Sequence, residues 1–81
     1  MKAELFKLHK EVIKRKIQSP LITKLAIKYM SNDDGHVKEA ALHLISTQPI
    51  EEASLDAILK NIVNYHDANL IKHAMLELQR Y

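Results

Sequence analysis

Two pairs of glutamate and histidine residues are the part of this sequence with the most evident chemistry. Glu39 and His43 stand four residues apart, and so do His73 and Glu77 in the opposite order. A spacing of four places both members of a pair on one face of a helix. Imidazole and carboxylate groups are competent zinc ligands, so two such helices packed side by side could hold a metal ion. Such pairs are also ordinary helix-surface neighbours, and without a HExxH motif or a cysteine we assign no metal site.

No other group of residues predicts catalysis. The chain has no cysteine, no glycine-rich phosphate loop, no nucleophile elbow and no zincin motif. Ser19 and Ser54 are explained as helix-start residues, and His9 as a packed, hydrogen-bonded residue on the core side of a helix. We therefore predict no catalytic residues, no enzymatic activity and no cofactor.

The charge distribution supplies a second chemical feature. Residues 1–30 carry eight Lys and Arg against two acids, whereas residues 31–81 carry four against eight. Lys7, Lys10, Lys14 and Arg15 could contact the phosphates of a nucleic acid, with an affinity that falls as salt rises. A lysine-rich solvated helix face is also commonplace, and no aromatic residues are interleaved with these. Nucleic-acid binding through the basic N-terminal helix is therefore kept as the alternative function.

Five helices are predicted to position these side chains within a single domain, residues 1–81. One Gly, two Pro and an aliphatic core with one Phe and no Trp favour helices joined by short turns. Ser19, Asp33 and Asp67 suit helix starts. The first helix is expected over about 2–16 and the second over about 20–31; the third ends at Ser46, the fourth near Tyr65, and residues 79–81 after the fifth should fray.

Each predicted helix has apolar residues at the spacing of one buried face. These core positions are Leu5, Leu8, His9, Val12 and Ile13; Leu21, Ile22, Leu25, Ala26, Tyr29 and Met30; Val37, Ala40, Ala41, Leu44 and Ile45; Leu55, Ile58, Leu59, Ile62 and Val63; and Ile71, Ala74, Met75 and Leu78. The positions opposite the core are Glu39, His43, Ser46, His73 and Glu77.

The third and fifth predicted helices repeat one another. VKEAALHL (37–44) and IKHAMLEL (71–78) share four of eight residues at a spacing of 34, a period typical of stacked helical hairpins. With an Asp ahead of each, Asp33 and Asp67, these segments resemble the second helix of HEAT repeats and their bacterial HEAT-like relatives, over about residues 20–79. The resemblance implies an all-α, right-handed superhelix of two hairpins preceded by one helix, and a scaffold for protein contacts.

In such a stack the second helices of the hairpins form the concave side. The resemblance therefore implies a protein-binding surface centred on Leu42, His43, His73 and Leu76, with Lys10 and Lys14 at its charged rim. Leu42 and Leu76 lie off the core face, so they are either partner contacts or packed on a neighbouring hairpin. At most one of the two can be covered by a following hairpin, and the terminal one, Leu76, is the better contact candidate.

We predict a small cytoplasmic adaptor that binds another protein. No apolar run approaches the length of a membrane span, and the lack of cysteine agrees with a reducing compartment. A stack of two and a half repeats is shorter than the roughly three repeats that such folds usually need, so self-association into a homodimer through an end face is kept as a further hypothesis.

Overall fold

Five α-helices make up most of the chain. In this computed structural model, which describes residues 2–81, they are α1 (Lys2–Arg15), α2 (Pro20–Tyr29), α3 (Gly35–Ile45), α4 (Glu52–Ile62) and α5 (Ala68–Leu78). No strand occurs between residues 2 and 81, so the predicted all-α class is confirmed. The predicted helix ends lie within one turn of the observed ones. None of the helices described has both the length and the apolar character needed to cross a membrane.

Side-chain caps start three of the helices. Ser19 and Asp67 each accept a hydrogen bond from the backbone N–H groups of the helix that follows, as predicted. The cap of α3 is Asp34, whose Oδ1 accepts from the backbone N–H of His36 at 2.8 Å. The assignment of that helix start to Asp33 was wrong by one residue.

Helix α3 is the central element of the fold. It packs against α1, α2 and α5, while α4 packs against α2 and α5. The helices therefore form two rows, α1–α3–α5 and α2–α4. Six of the eleven α3 residues are buried, and the alanines at 40 and 41 let the neighbouring helices approach closely.

Of the 25 predicted core residues, 12 are buried, eight are partly buried and five are exposed. Twelve predicted core positions are buried: Leu5, Val12, Ile22, Ala26, Met30, Val37, Ala40, Ala41, Leu44, Ile45, Ile58 and Ala74. Five others are exposed, and for these the prediction was wrong: Ile13, Leu21, Leu59, Val63 and Met75. Periodicity identifies the apolar side of a helix, but it does not say whether a neighbour covers the full width of that side.

The structural spacing of α3 and α5 differs from the spacing of their matched residues. The two N-caps, Asp34 and Asp67, lie 33 residues apart, one fewer than the 34 of the sequence match. The three buried residues of α5 are Leu70, Ala74 and Glu77, and 33 residues before them stand Val37, Ala41 and Leu44, which are all buried. At this spacing Leu42 corresponds to Met75 rather than to Leu76.

Gln48 joins the end of α3 to the turn between α1 and α2. Its side chain is buried, with Oε1 accepting from the backbone N–H of Ser19 at 3.0 Å and Nε2 donating to the carbonyl of Ile17 at 3.1 Å. Both polar atoms of the amide are thus satisfied in the interior, as a buried polar group requires. The contact holds α1 and α3 at one relative position.

Arg80 joins the residues after α5 to the C-terminal end of α3. Its Nη1 donates to the carbonyl of Gln48 and its Nη2 to the carbonyl of Ile45, both at 3.1 Å. The carbonyl of Ile45 also accepts from the backbone N–H of Gln48 at 3.0 Å, so both of its lone pairs are used. The prediction that residues 79–81 fray was therefore wrong, because Arg80 ties them to the end of α3.

Tyr65, in the turn between α4 and α5, is hydrogen-bonded to the end of α2. Its buried hydroxyl donates to the carbonyl of Met30, the residue that follows α2, at 2.8 Å. Burial raises the pKa of Tyr65 to about 12, since the phenolate would lose its hydration. This bond fixes the α4–α5 hairpin against α2.

Lys16 terminates α1 in a left-handed conformation, with φ of 53°. A residue with a Cβ atom in this conformation costs roughly 1–2 kcal/mol. Replacing Lys16 with Gly removes that cost, while the greater flexibility of glycine in the unfolded chain offsets about 0.4–1 kcal/mol. We expect Lys16→Gly to raise the free energy of unfolding by about 0.5–1 kcal/mol in urea denaturation.

A matched control is Lys10→Gly. Lys10 is also an exposed lysine of α1, but it lies inside the helix, where glycine should lower the free energy of unfolding by about 1 kcal/mol. Destabilisation of similar size by both substitutions would contradict the left-handed helix end.

Candidate functional site

Three histidines and one glutamate from three different helices meet on the α1–α3–α5 row. Nε2 of His43 and Nε2 of His73 each lie 3.6 Å from Oε1 of Glu39. The ring centres of His43 and His73 are 4.8 Å apart in an edge-on arrangement, and those of His9 and His43 are 5.9 Å apart. All four side chains are half-buried. We call Glu39, His9, His43 and His73 the histidine cluster.

The cluster forms because three helices present equivalent faces to one another. Glu39 and His43 are one turn apart on α3, and the packing of α5 on α3 brings His73 to the same carboxylate. The sequence predicted the Glu39–His43 pair and the side of α5 that carries His73. It placed His9 in the core, whereas His9 lies partly exposed beside the other rings.

The electrostatic environment of His9 favours its neutral form. Burial lowers the pKa of His9 first, and the nearby His43 lowers it further. A neutral imidazole keeps one ring nitrogen with a free lone pair, whereas an imidazolium has none. The lowered pKa means that His9 takes up a proton less readily than an isolated histidine does.

Glu77 does not join the histidine cluster. Its side chain is only 5% exposed, and both of its oxygens accept from Nε of Arg80, at 3.0 and 2.9 Å. The hydrogen bonds to Glu77 raise the pKa of Arg80, although burial opposes them. The prediction that Glu77 faces away from the core was wrong, because Arg80 supplies a partner that allows the carboxylate to be buried.

A groove of about 250 Å³ runs between α3 and α5 beside the cluster. Its lining combines apolar side chains with polar groups: Leu42, His43, Ser46, His73, Leu76, Glu77 and Arg80. Leu76 is 51% exposed, as predicted, but Leu42 is only 3% exposed. Of the two alternatives predicted for Leu42, burial within the stack is the one observed, whereas its counterpart at the structural spacing, Met75, is 56% exposed.

The basic residues of α1 lie apart from this groove. Lys7, Lys10 and Lys14 are exposed, and none of them is among the groove-lining residues described. Nε of Arg15 lies 3.1 Å from Oε2 of Glu11 in an exposed ion pair. The structure therefore brings His43, His73 and Leu76 together, but it does not bring Lys10 or Lys14 to the groove.

Asn69 and Arg80 also belong to this region, and neither was predicted from the sequence as a site residue. Nδ2 of Asn69 donates to Oε2 of Glu39 at 3.4 Å, and Arg80 forms one wall of the groove. The three-residue spacing of Glu77 and Arg80 is a helix-neighbour spacing and could have indicated their pairing. The contact of Asn69 with Glu39 depends on how α5 packs, so no local pattern predicts it.

Comparison of the chain with models of protein families, with curated proteins and with solved structures finds no match. The HEAT-like resemblance therefore stays a prediction. What the molecule does must be inferred from the groove and the histidine cluster themselves.

The buried and exposed Arg–Glu pairs should contribute differently to stability. Arg80→Ala leaves the Glu77 carboxylate buried without its partner and removes two hydrogen bonds, to the carbonyls of Gln48 and Ile45, although Ile45 keeps its bond from the backbone N–H of Gln48. We expect the free energy of unfolding to fall by about 2 kcal/mol, measured by urea denaturation.

The control for this variant is Arg15→Ala. The Arg15 side chain is 69% exposed in its pair with Glu11, so its loss should cost less than about 0.5 kcal/mol. Equal losses for the two variants would mean that Arg80 does not anchor the C-terminal residues.

Proposed function

We propose that this chain is a small protein-interaction module that binds its partner through the groove between α3 and α5. The observation that supports this most is that an exposed Leu76 lines the groove together with two half-buried histidines and the buried Leu42. Small-molecule sites usually enclose about 300–1,000 Å³. At about 250 Å³ and open to solvent, this groove is suited to one or two side chains of a partner segment.

The arrangement of the helices supports a HEAT-like stack as the scaffold. The α1–α3–α5 and α2–α4 rows are what two α-hairpins preceded by one helix would form. In a HEAT-like stack the α1–α3–α5 row would be the concave side, where repeat proteins hold their partners. The correspondence of Leu42 with Met75 also fits, since each lies where a following hairpin would pack.

The groove indicates the chemistry of the segment it would hold. Leu76 offers apolar contact, and the imidazoles of His43 and His73 offer hydrogen bonds. The charges of Glu77 and Arg80 are already used within the chain. A complementary segment presents one apolar side chain flanked by hydrogen-bonding groups, as peptide-binding grooves commonly require.

Leu76→Asp should abolish partner binding while leaving the fold intact. The substitution places a carboxylate on the apolar wall of the groove, and because Leu76 is 51% exposed, the fold should tolerate the change. The measurement is capture of proteins from the native lysate on immobilised wild type and variant, with nuclease treatment to exclude bridging nucleic acid. Circular dichroism reports helicity in parallel.

Met75→Asp is the matched control, because Met75 is equally exposed on the same helix but does not line the groove. It should keep partner capture. If both variants capture the same proteins as the wild type, the groove is not the binding site.

Sedimentation of the Met75→Asp variant also tests self-association through the exposed apolar residues of α4 and α5.

The alternative function is nucleic-acid binding through α1. It is favoured by one observation, that Lys7, Lys10 and Lys14 are all exposed on α1. If it is correct, a labelled duplex should bind at low salt with affinity that falls as salt rises. Replacing all three lysines with Glu should remove that binding, and a wild type that binds no duplex at low salt would eliminate the alternative.

A further inference from the structure

We propose that Glu39, His43 and His73 bind a divalent transition-metal ion, with zinc as the best match. The three residues come from two packed helices and offer two imidazole nitrogens and one carboxylate oxygen. This donor set, two His and one Glu, is one of the established ligand sets for zinc. The inference concerns the metal alone and does not depend on the proposed protein partner.

The distances within the cluster are close to those a metal ion requires. Zinc binds imidazole nitrogen and carboxylate oxygen at about 2.0–2.2 Å, which for a tetrahedral site separates neighbouring ligand atoms by about 3.4 Å. Oε1 of Glu39 already lies 3.6 Å from Nε2 of both His43 and His73. The three ligand atoms all lie within 4.8 Å of one another. Side-chain rotations that shift the ligand atoms by up to roughly 1.4 Å close the remaining difference between 4.8 Å and the tetrahedral spacing.

The two oxygens of Glu39 have separate surroundings. Oε2 accepts from the amide of Asn69, while Oε1 faces the two histidines. Outer groups that hold a ligand in place are a regular feature of metal sites and strengthen binding. Asn69 thus acts as a positioning residue for the Glu39 ligand.

The donor types decide between classes of ion. Calcium and magnesium prefer oxygen ligands, and this cluster offers only one carboxylate. Two imidazoles favour zinc, copper or nickel. Three ligands leave a fourth position for water, since the His9 ring is farther away, 5.9 Å from the ring of His43, and is not assigned as a ligand.

The test is titration of the untagged chain with zinc at neutral pH, against a chromophoric chelator of known affinity. We expect one ion per chain. His43→Gln and His73→Gln should each weaken binding at least tenfold, and Glu39→Gln should also weaken it. Glutamine preserves helix propensity, so these variants should keep their helicity.

His36→Gln and His66→Gln serve as controls, because both histidines are exposed and lie outside the cluster. They should leave the zinc affinity unchanged within twofold. Cobalt(II) should give the intense visible absorption of a four-coordinate ion in the wild type and not in a His43→Gln, His73→Gln double variant.

Two results would overturn the proposal: no saturable zinc binding by the folded wild type, or equal affinity in the wild type and the His43→Gln, His73→Gln variant. Loss of binding in the His36 or His66 variants alone would also overturn it, since the ion would then lie elsewhere. Partner capture that persists without zinc binding would leave the protein-interaction function standing and remove only the metal site.

Discussion

The hydrogen-bonded junction at the C-terminal end of α3 is the constraint on which the other features depend. Gln48 binds the turn between α1 and α2 through its side chain, and its carbonyl accepts from Arg80, which follows α5. One residue therefore connects all three helices of a row. A domain of 81 residues has little stability to spare, so a fully satisfied polar junction matters more here than in a larger core.

Fixing that row places chemically useful side chains beside one another. With α1, α3 and α5 held together, the ring of His43 lies beside those of His9 and His73, and His43 and His73 share the carboxylate of Glu39. The groove between α3 and α5 opens beside them, and His43 and His73 line both features. A metal ion held by the cluster would therefore lie next to the proposed protein-binding groove, so the two could influence each other.

The local features were predictable from the sequence, whereas the tertiary ones were only partly so. Helix periodicity and capping residues identified five helices, and the four-residue spacing identified the Glu39–His43 pair. The 34-residue sequence match paired Leu42 with Leu76, but the structural spacing is 33 and pairs Leu42 with Met75. Leu42 is buried, whereas Leu76 and Met75 are exposed. The burial of Glu77 depends on Arg80, a contact that no apolar pattern encodes.

The central claim is that α1, α3 and α5 form a single row whose histidines lie in contact. Nuclear Overhauser effects between histidine ring protons measure this directly, in the wild-type chain and without any added metal. We expect cross-peaks between His43 and His73 and weaker ones between His9 and His43, in keeping with ring-centre separations of 4.8 and 5.9 Å. A folded, helical chain that shows neither cross-peak would contradict the arrangement on which the groove and the metal site depend.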